Sequence, residues 1–175
     1  MLAKLKTFTV VELMGAGFDG FVPFARIKQQ YSPSDGGIPR SPGVYVVVRP
    51  STDHPEFIAK GFGGTHKARK ANVPVAELEA KWVAGASVVY IGKASQRSKL
   101  DGLWGRIDEY AKAGRPGMTH NHSGGERIWQ LADARDLRVA WKVVADRTEK
   151  KLEEAMISAF VERYGRLPFG NRSST

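Results

Sequence analysis

The sequence predicts a small α+β fold in which one sheet of three strands is flanked by helices, and three observations predict it. Three short runs rich in β-branched residues, at 43–49, 87–93 and 137–144, have the length and composition of strands. Two longer stretches with apolar residues at helical spacing, at about 100–113 and 148–164, follow the second and third of those runs. A chain of 175 residues is the size of one domain with an appended arm, and it is long enough to bury a core.

Residues 1–40 read as an N-terminal extension. Within it, Thr7 to Met14 fits either a strand or a short helix, and Phe21, Phe24 and Ile27 keep helical spacing after a Gly-rich stretch. The segment SPSDGGIPRSPG is dense in Ser, Pro and Gly and marks a boundary. GVYVVVR, Gly43 to Arg49, is the first strand. Residues 50–86 return to turn chemistry and positive charge, and Pro74 opens a short helix there with Val75, Leu78 and Trp82 on one face. SVVYIGK, Ser87 to Lys93, is the second strand. The helix from about Leu100 to Ala113 buries Leu103, Trp104, Ile107 and Ala111, and Gly114 and Pro116 end it. THNHSGGER is loop and LRVAWKVV, Leu137 to Val144, is the third strand. A long helix from about Thr148 to Tyr164 stops at Gly165.

Hydrophobic residues make up 42% and charged residues 26%, an ordinary globular balance. No apolar run approaches the roughly 20 residues of a spanning helix. The first residues, broken by threonines and Glu12, do not read as a signal peptide. The absence of cysteine excludes disulfides and thiolate metal sites, and the expected setting is cytoplasmic, away from membranes. A formal charge of +9, from 27 Lys and Arg against 18 Asp and Glu, favours a polyanionic partner.

The C-terminal helix carries the sharpest chemical clue. Leu152, Met156, Ile157, Ala159, Phe160 and Tyr164 form one apolar stripe, and Glu153 falls inside it while Glu154 and Glu162 fall outside. A carboxylate on a buried face is unfavourable unless it is ion-paired or holds a metal. Spacing leaves both readings open, and taken alone the salt bridge with an arginine is the commoner one. On the earlier helix Arg106 lies one turn before Tyr110 at the margin of the stripe, so a guanidinium and a phenol point the same way. Such a pair suits a phosphate, although a solvated Arg beside a half-buried Tyr is commoner in isolation.

Together these residues resemble a known family. Gly43-Val44-Tyr45 on one strand and Tyr90-Ile91-Gly92-Lys93 on the next are similar to the paired tripeptides of the GIY-YIG nucleases. Arg106 and Tyr110 fit that family's following helix. Glu153-Glu154-Ala155-Met156-Ile157 fits its Glu-x-x-Leu-Ile helix, and Pro168 to Asn171 fits its closing Asn. The resemblance covers residues 41–175, with two departures: an insertion at about 50–86 between the two strands, and added residues around Ser95 to Gly102. It implies a three-stranded antiparallel sheet and a magnesium-dependent endonuclease, with manganese as an allowed substitute, acting on double-stranded DNA. By that resemblance Glu153 would hold the metal and Arg106 the scissile phosphate. Tyr45 would act on the water as base or by orienting it, and Tyr90 would complete the hydrogen-bonded pair, with Tyr110 beside them. Gly43, Gly92, Lys93 and Asn171 would support the site. A tyrosine of ordinary pKa, about 10, is a poor base at neutral pH, and a cation such as Lys93 or the metal would lower it. The four residues Tyr45, Tyr90, Arg106 and Glu153 should converge on one concave basic surface.

Other residues carry weaker expectations. Lys67, Arg69 and Lys70, with Lys60, read as a basic face for non-specific phosphate contact, and His122 as a residue near DNA or solvent. His120 and His122 lack a third metal ligand at recognisable spacing. Gly124 to Arg127 reads as a plain turn that could offer amides to a phosphate. Trp104, Trp129 and Trp141 read as core. The alternative function is a non-catalytic nucleic-acid-binding module that retains the fold, and the sequence allows a homodimer.

Overall fold

The computed structural model describes residues 5–27, 31, 33, 37–63, 65–66, 69–70, 72–96, 102–120 and 126–172, and of residues 65–66, 69–70 and 119–120 it describes the backbone. Among these the elements run α1 (Val10–Gly15), β1 (Asp19–Pro23), β2 (Gly43–Val48), β3 (Thr65–His66), β4 (Arg69–Lys70), α2 (Val75–Lys81), β5 (Val88–Ala94), α3 (Gly102–Ala113), β6 (Thr119–His120), β7 (Arg138–Val143) and α4 (Glu149–Tyr164). Short 3₁₀ turns at Phe24–Arg26, Glu126–Gln130 and Ala134–Asp136 fill the connections.

The main sheet has the order β1-β7-β2-β5, and every neighbouring pair is antiparallel. Its middle strand β2 is buried along all six residues because both faces are covered. Tyr45 and Val47 point into a core shared with Leu103, Ile107 and Tyr110 of α3. Val44, Val46 and Val48 point into a second core with Leu152, Met156, Ile157 and Phe160 of α4 and Phe8 and Leu13 around α1. The run GVYVVV therefore shows no alternation with polar residues, as expected of a strand buried on two sides.

The sheet has four strands, not the expected three. The fourth, β1, comes from the N-terminal segment and pairs with β7 through a register irregularity between Gly20 and Val22, at Phe21, whose φ is 55°. Gly20 and Pro23 in a run of five residues remove the composition by which a strand is recognised. The helical spacing of Phe21, Phe24 and Ile27 does not mark a helix. Phe21 lies in β1 against the second core, while Phe24 and Ile27 enter the first across the 3₁₀ turn.

Thr9 caps α1 by accepting from the Glu12 amide, and Glu12 reaches back to accept from the amides of Lys6, Thr7 and Phe8 at 2.6, 2.8 and 2.7 Å. Thr9-x-x-Glu12 is the sequence signature of a capping box, here with the Glu12 carboxylate on the amides just before the cap, a local signal for this helix that spacing alone did not supply. Burial pushes the Glu12 carboxyl up, and the three amides more than offset it, so its pKa is lowered.

The 50–86 stretch packs against the domain. Gln130 is buried and spans it, donating to the carbonyls of Ile58 and Val73 at 3.1 and 2.9 Å and accepting from the Val73 amide at 2.8 Å. A second sheet, β4-β3-β6, joins this stretch to the segment after α3, with His66 and His120 as register partners in the parallel pair. Among the described residues no helix is long and apolar enough to cross a membrane.

Candidate active site

Register sets the two tyrosines. Tyr45 faces Gly92 across β2 and β5, and Tyr90 faces Val47, so both phenols lie on the α3 face as diagonal neighbours. Their ring centroids are 5.9 Å apart and their hydroxyls are hydrogen-bonded to each other. Gly92 makes this possible. A Cβ on it would sit 2.6 Å from Tyr90 Cε1 and 2.8 Å from Tyr45 Oη, inside the space the rings occupy. Gly43 answers the same need at the start of β2, where a Cβ would meet the Lys142 carbonyl at 2.3 Å and Leu103 of α3 at 2.7 Å.

Helix α3 crosses this face and brings Arg106 and Tyr110 to it one turn apart. Tyr110 is fully buried, with its ring 5.0 Å from Tyr90, 6.4 Å from Tyr45 and edge-on to Phe24 and Trp129. Arg106 keeps one third of its side chain exposed, hydrogen-bonds the Tyr45 hydroxyl, and lies 3.5 Å from the Glu109 carboxylate on its own helix. Burial works against its charge, while Tyr45, Tyr90 and Glu109 favour it more strongly, so it is held firmly as a cation.

Helix α4 packs on the opposite face. Glu153 is buried there beside Leu152 and Met156, as the periodicity required. Its Oε2 accepts from Lys93 Nζ at 2.6 Å, so the salt bridge that the buried position allows exists, with a lysine from β5 as partner. Because β5 is the edge strand, residues of both faces meet at its C-terminal end. There an open cleft of about 220 Å³ is lined by Tyr90, Lys93, Arg106, Glu109 and Glu153, with Ala94, Ser95, Gly102 and Gly105 completing the wall. Three of the four expected residues thus share one cleft. Tyr45 does not line it; it is fully buried and reaches the cleft through its hydrogen bonds to Tyr90 and Arg106.

The tyrosines differ from the expectation in one respect. Burial drives the Tyr45 phenol well above its ordinary pKa, the neighbouring Tyr90 adds to this, and Arg106 only partly opposes it. Tyr90 is raised as well, chiefly by burial, against the lowering influence of its hydrogen bond to Tyr45 and of Arg106. Burial outweighs the lowering by the neighbouring cation Arg106, and Lys93 is paired with Glu153. Burial thus favours the neutral phenol of Tyr45, which is held as a hydrogen-bonding group.

Asn171 lies outside the cleft and holds its strand. Its Oδ1 accepts from the Ile91 amide at 3.0 Å and its Nδ2 donates to the Ile91 carbonyl at 2.8 Å, while the Gly170 amide donates to Val89 at 2.7 Å. The tail thereby pairs with the free edge of β5 at the residue between Tyr90 and Gly92. Arg172 continues the strap, donating to the buried Glu126 at 2.7 Å. Arg69 and Lys70 lie in β4 on the short sheet, and Lys67 and His122 lie outside the described residues.

Sequence reading missed Glu109 in the cleft, whose signal is its i,i+3 spacing from Arg106. It also missed Glu149, one turn before Glu153, which is buried with no hydrogen bond or ion pair to Oε2 among the described residues. Its spacing from Glu153 was the available signal.

The cleft offers carboxylate oxygens and no sulfur or imidazole, a donor set for a hard cation. Among the described residues no group of three or more His, Asp or Glu side chains gathers. The carboxylates of Glu153 and Glu109 are the cleft's hard donors, and Glu153 Oε2 is paired with Lys93 Nζ. Comparison of the chain with family models, with curated proteins and with solved structures found no match in any of the three.

Proposed function

We propose that the chain is a metal-dependent endonuclease of the GIY-YIG type, hydrolysing phosphodiester bonds in double-stranded DNA. The observation that carries this reading is the cleft at the end of β5, where Tyr90 and Lys93 of that strand meet Arg106 of α3 and Glu153 of α4, three separate stretches of chain. Magnesium or manganese held at Glu153 would supply a Lewis acid for the charge on the phosphate and the leaving oxygen. Arg106, fixed as a cation, binds a non-bridging phosphate oxygen and opposes the charge that grows there as water adds to phosphorus. Neutral Tyr90 at the cleft wall, aligned by its hydrogen bond to Tyr45, orients the attacking water or a phosphate oxygen. Gly92 and Asn171 hold that tyrosine in register. The charge of +9 supports a nucleic-acid partner, and Arg69 and Lys70, with Lys67, are the proposed backbone contacts.

A second reading is a binding module that retains the fold without catalysis. The Lys93–Glu153 ion pair favours it, since a carboxylate matched by an internal ammonium is stable without a metal.

The experiment that separates them is cleavage of plasmid and oligonucleotide DNA with magnesium. The wild-type chain should cut, and Glu153→Gln should abolish cutting while leaving DNA binding within about twofold, because phosphate contacts by Lys and Arg elsewhere dominate affinity. Glu154→Gln, at a half-buried residue paired to Lys150 at 3.6 Å, should leave both intact. No cleavage of DNA or RNA by the wild-type chain with either metal would leave the binding module as the function.

A further inference from the structure

We propose that Lys93 is an internal stand-in for the divalent cation: its ammonium fills the Glu153 carboxylate while the cleft is empty, and a cation binds by displacing it. The inference rests on the reading of Glu153 as the cation ligand.

The geometry is that of an occupied cation site. Nζ lies 2.6 Å from Oε2, and the carboxylate side chain is 10% exposed while the lysine is 32% exposed. An ionised carboxylate so buried is strongly stabilised by a positive partner, because an uncompensated charge away from water is unfavourable. Among the described residues Lys93 is the cation in contact with it, and it reaches Glu153 from β5, three residues beyond Tyr90.

The charges lining the cleft point the same way. Lys93 and Arg106 are balanced by Glu109 and Glu153, so the cleft carries no net charge although the chain carries +9. A neutral cleft has no excess pull on a phosphodiester. A dication taking Glu153 adds two charges without removing any, since the lysine stem is flexible and partly exposed and its ammonium stays within the cleft. The released ammonium can then meet a phosphate oxygen. Cation and phosphate would each favour the other, and by linkage the two effects must be equal in size.

Manganese binding to the full-length chain, followed by the electron paramagnetic resonance signal of free Mn²⁺, tests this without any cleavage step. Lys93→Met should bind Mn²⁺ about tenfold more tightly than wild type, equivalent to about 1.4 kcal/mol held in the ion pair. Lys93→Gln, which keeps a polar side chain of similar reach, should shift affinity in the same direction if Lys93→Met folds poorly. Glu153→Gln should remove the site in every background. A short duplex should tighten Mn²⁺ binding in wild type and less so in Lys93→Met. Equal or weaker Mn²⁺ binding in both lysine variants, with the site still lost in Glu153→Gln, overturns the stand-in role and leaves the nuclease reading intact. Absence of any Glu153-dependent Mn²⁺ binding overturns both.

Discussion

At the scale of single residues, the chemistry of Tyr45 follows from where β2 places it. Its phenol is buried among Tyr90, Tyr110 and Arg106, and burial keeps it protonated well above its ordinary range. On the proposed nuclease reading its contribution is then a fixed hydrogen bond rather than proton abstraction. Tyr45→Phe preserves the ring and removes the hydroxyl, so kcat should fall by about 10²–10³, the range measured for loss of one positioned donor. The pH–rate profile should keep its shape, with no tyrosine limb over roughly pH 6 to 9 in either protein. A limb present in wild type and lost in Tyr45→Phe would restore Tyr45 as the base. The buried position of Glu153 was legible because helical periodicity is a local pattern. Its pairing with Lys93 was not, because the two are 60 residues apart and their contact depends on the edge position of β5.

At the scale of elements, α3 and α4 were legible from their apolar stripes, and β2, β5 and β7 from β-branched runs. β1 was not, because its pairing to β7 uses a five-residue run with Gly20, Pro23 and an irregular register. The clamp of Asn171 on β5 makes a prediction at this scale. Asn171→Ala leaves the amide and carbonyl of Ile91 without their side-chain partners at the sheet edge. The loss should be about 1–3 kcal/mol, read as a lower denaturant midpoint, because both partners of a paired amide are orphaned at once. Asn171→Asp should be as harmful, since a carboxylate keeps the acceptor and sets a second acceptor against the Ile91 carbonyl. A midpoint unchanged in both variants would remove the clamp from the account of how Tyr90 is held. The clustered phenols make another. Tyr45, Tyr90 and Tyr110 all have folded pKa values raised above the ordinary value of about 10. A group with a raised folded pKa adds stability that is fully present below its unfolded pKa and is lost as pH rises through the folded value. Stability should therefore be level up to about pH 10 and fall beyond it, and Tyr110→Phe should shallow that fall in denaturant titrations.

At the scale of the whole molecule, the overall class was legible and the placement of the site was only partly so. Composition gave a basic α+β chain, whereas the meeting of two helices from opposite faces at one strand edge needs the sheet order, which no local pattern encodes. On the proposed nuclease reading, charge for binding DNA is separate from charge for chemistry. The cleft cancels within itself, so the excess of +9 lies elsewhere, and Lys67, Arg69 and Lys70 follow closely in sequence within the 50–86 stretch. Affinity for duplex DNA should fall steeply with salt, with a slope of about −0.9 per phosphate neutralised. Replacing Lys67, Arg69 and Lys70 by glutamine should reduce the magnitude of that slope by up to about 2.7, because each lost phosphate contact releases one fewer set of counterions. Glu153→Gln should leave the slope unchanged to within about one unit, since it alters the cleft and not the basic surface. The measurement is the logarithm of the association constant against the logarithm of salt for one duplex. A slope untouched by the triple substitution would assign the 50–86 stretch to a different contact, and a slope lost with Glu153→Gln would place the DNA-binding charge in the cleft itself.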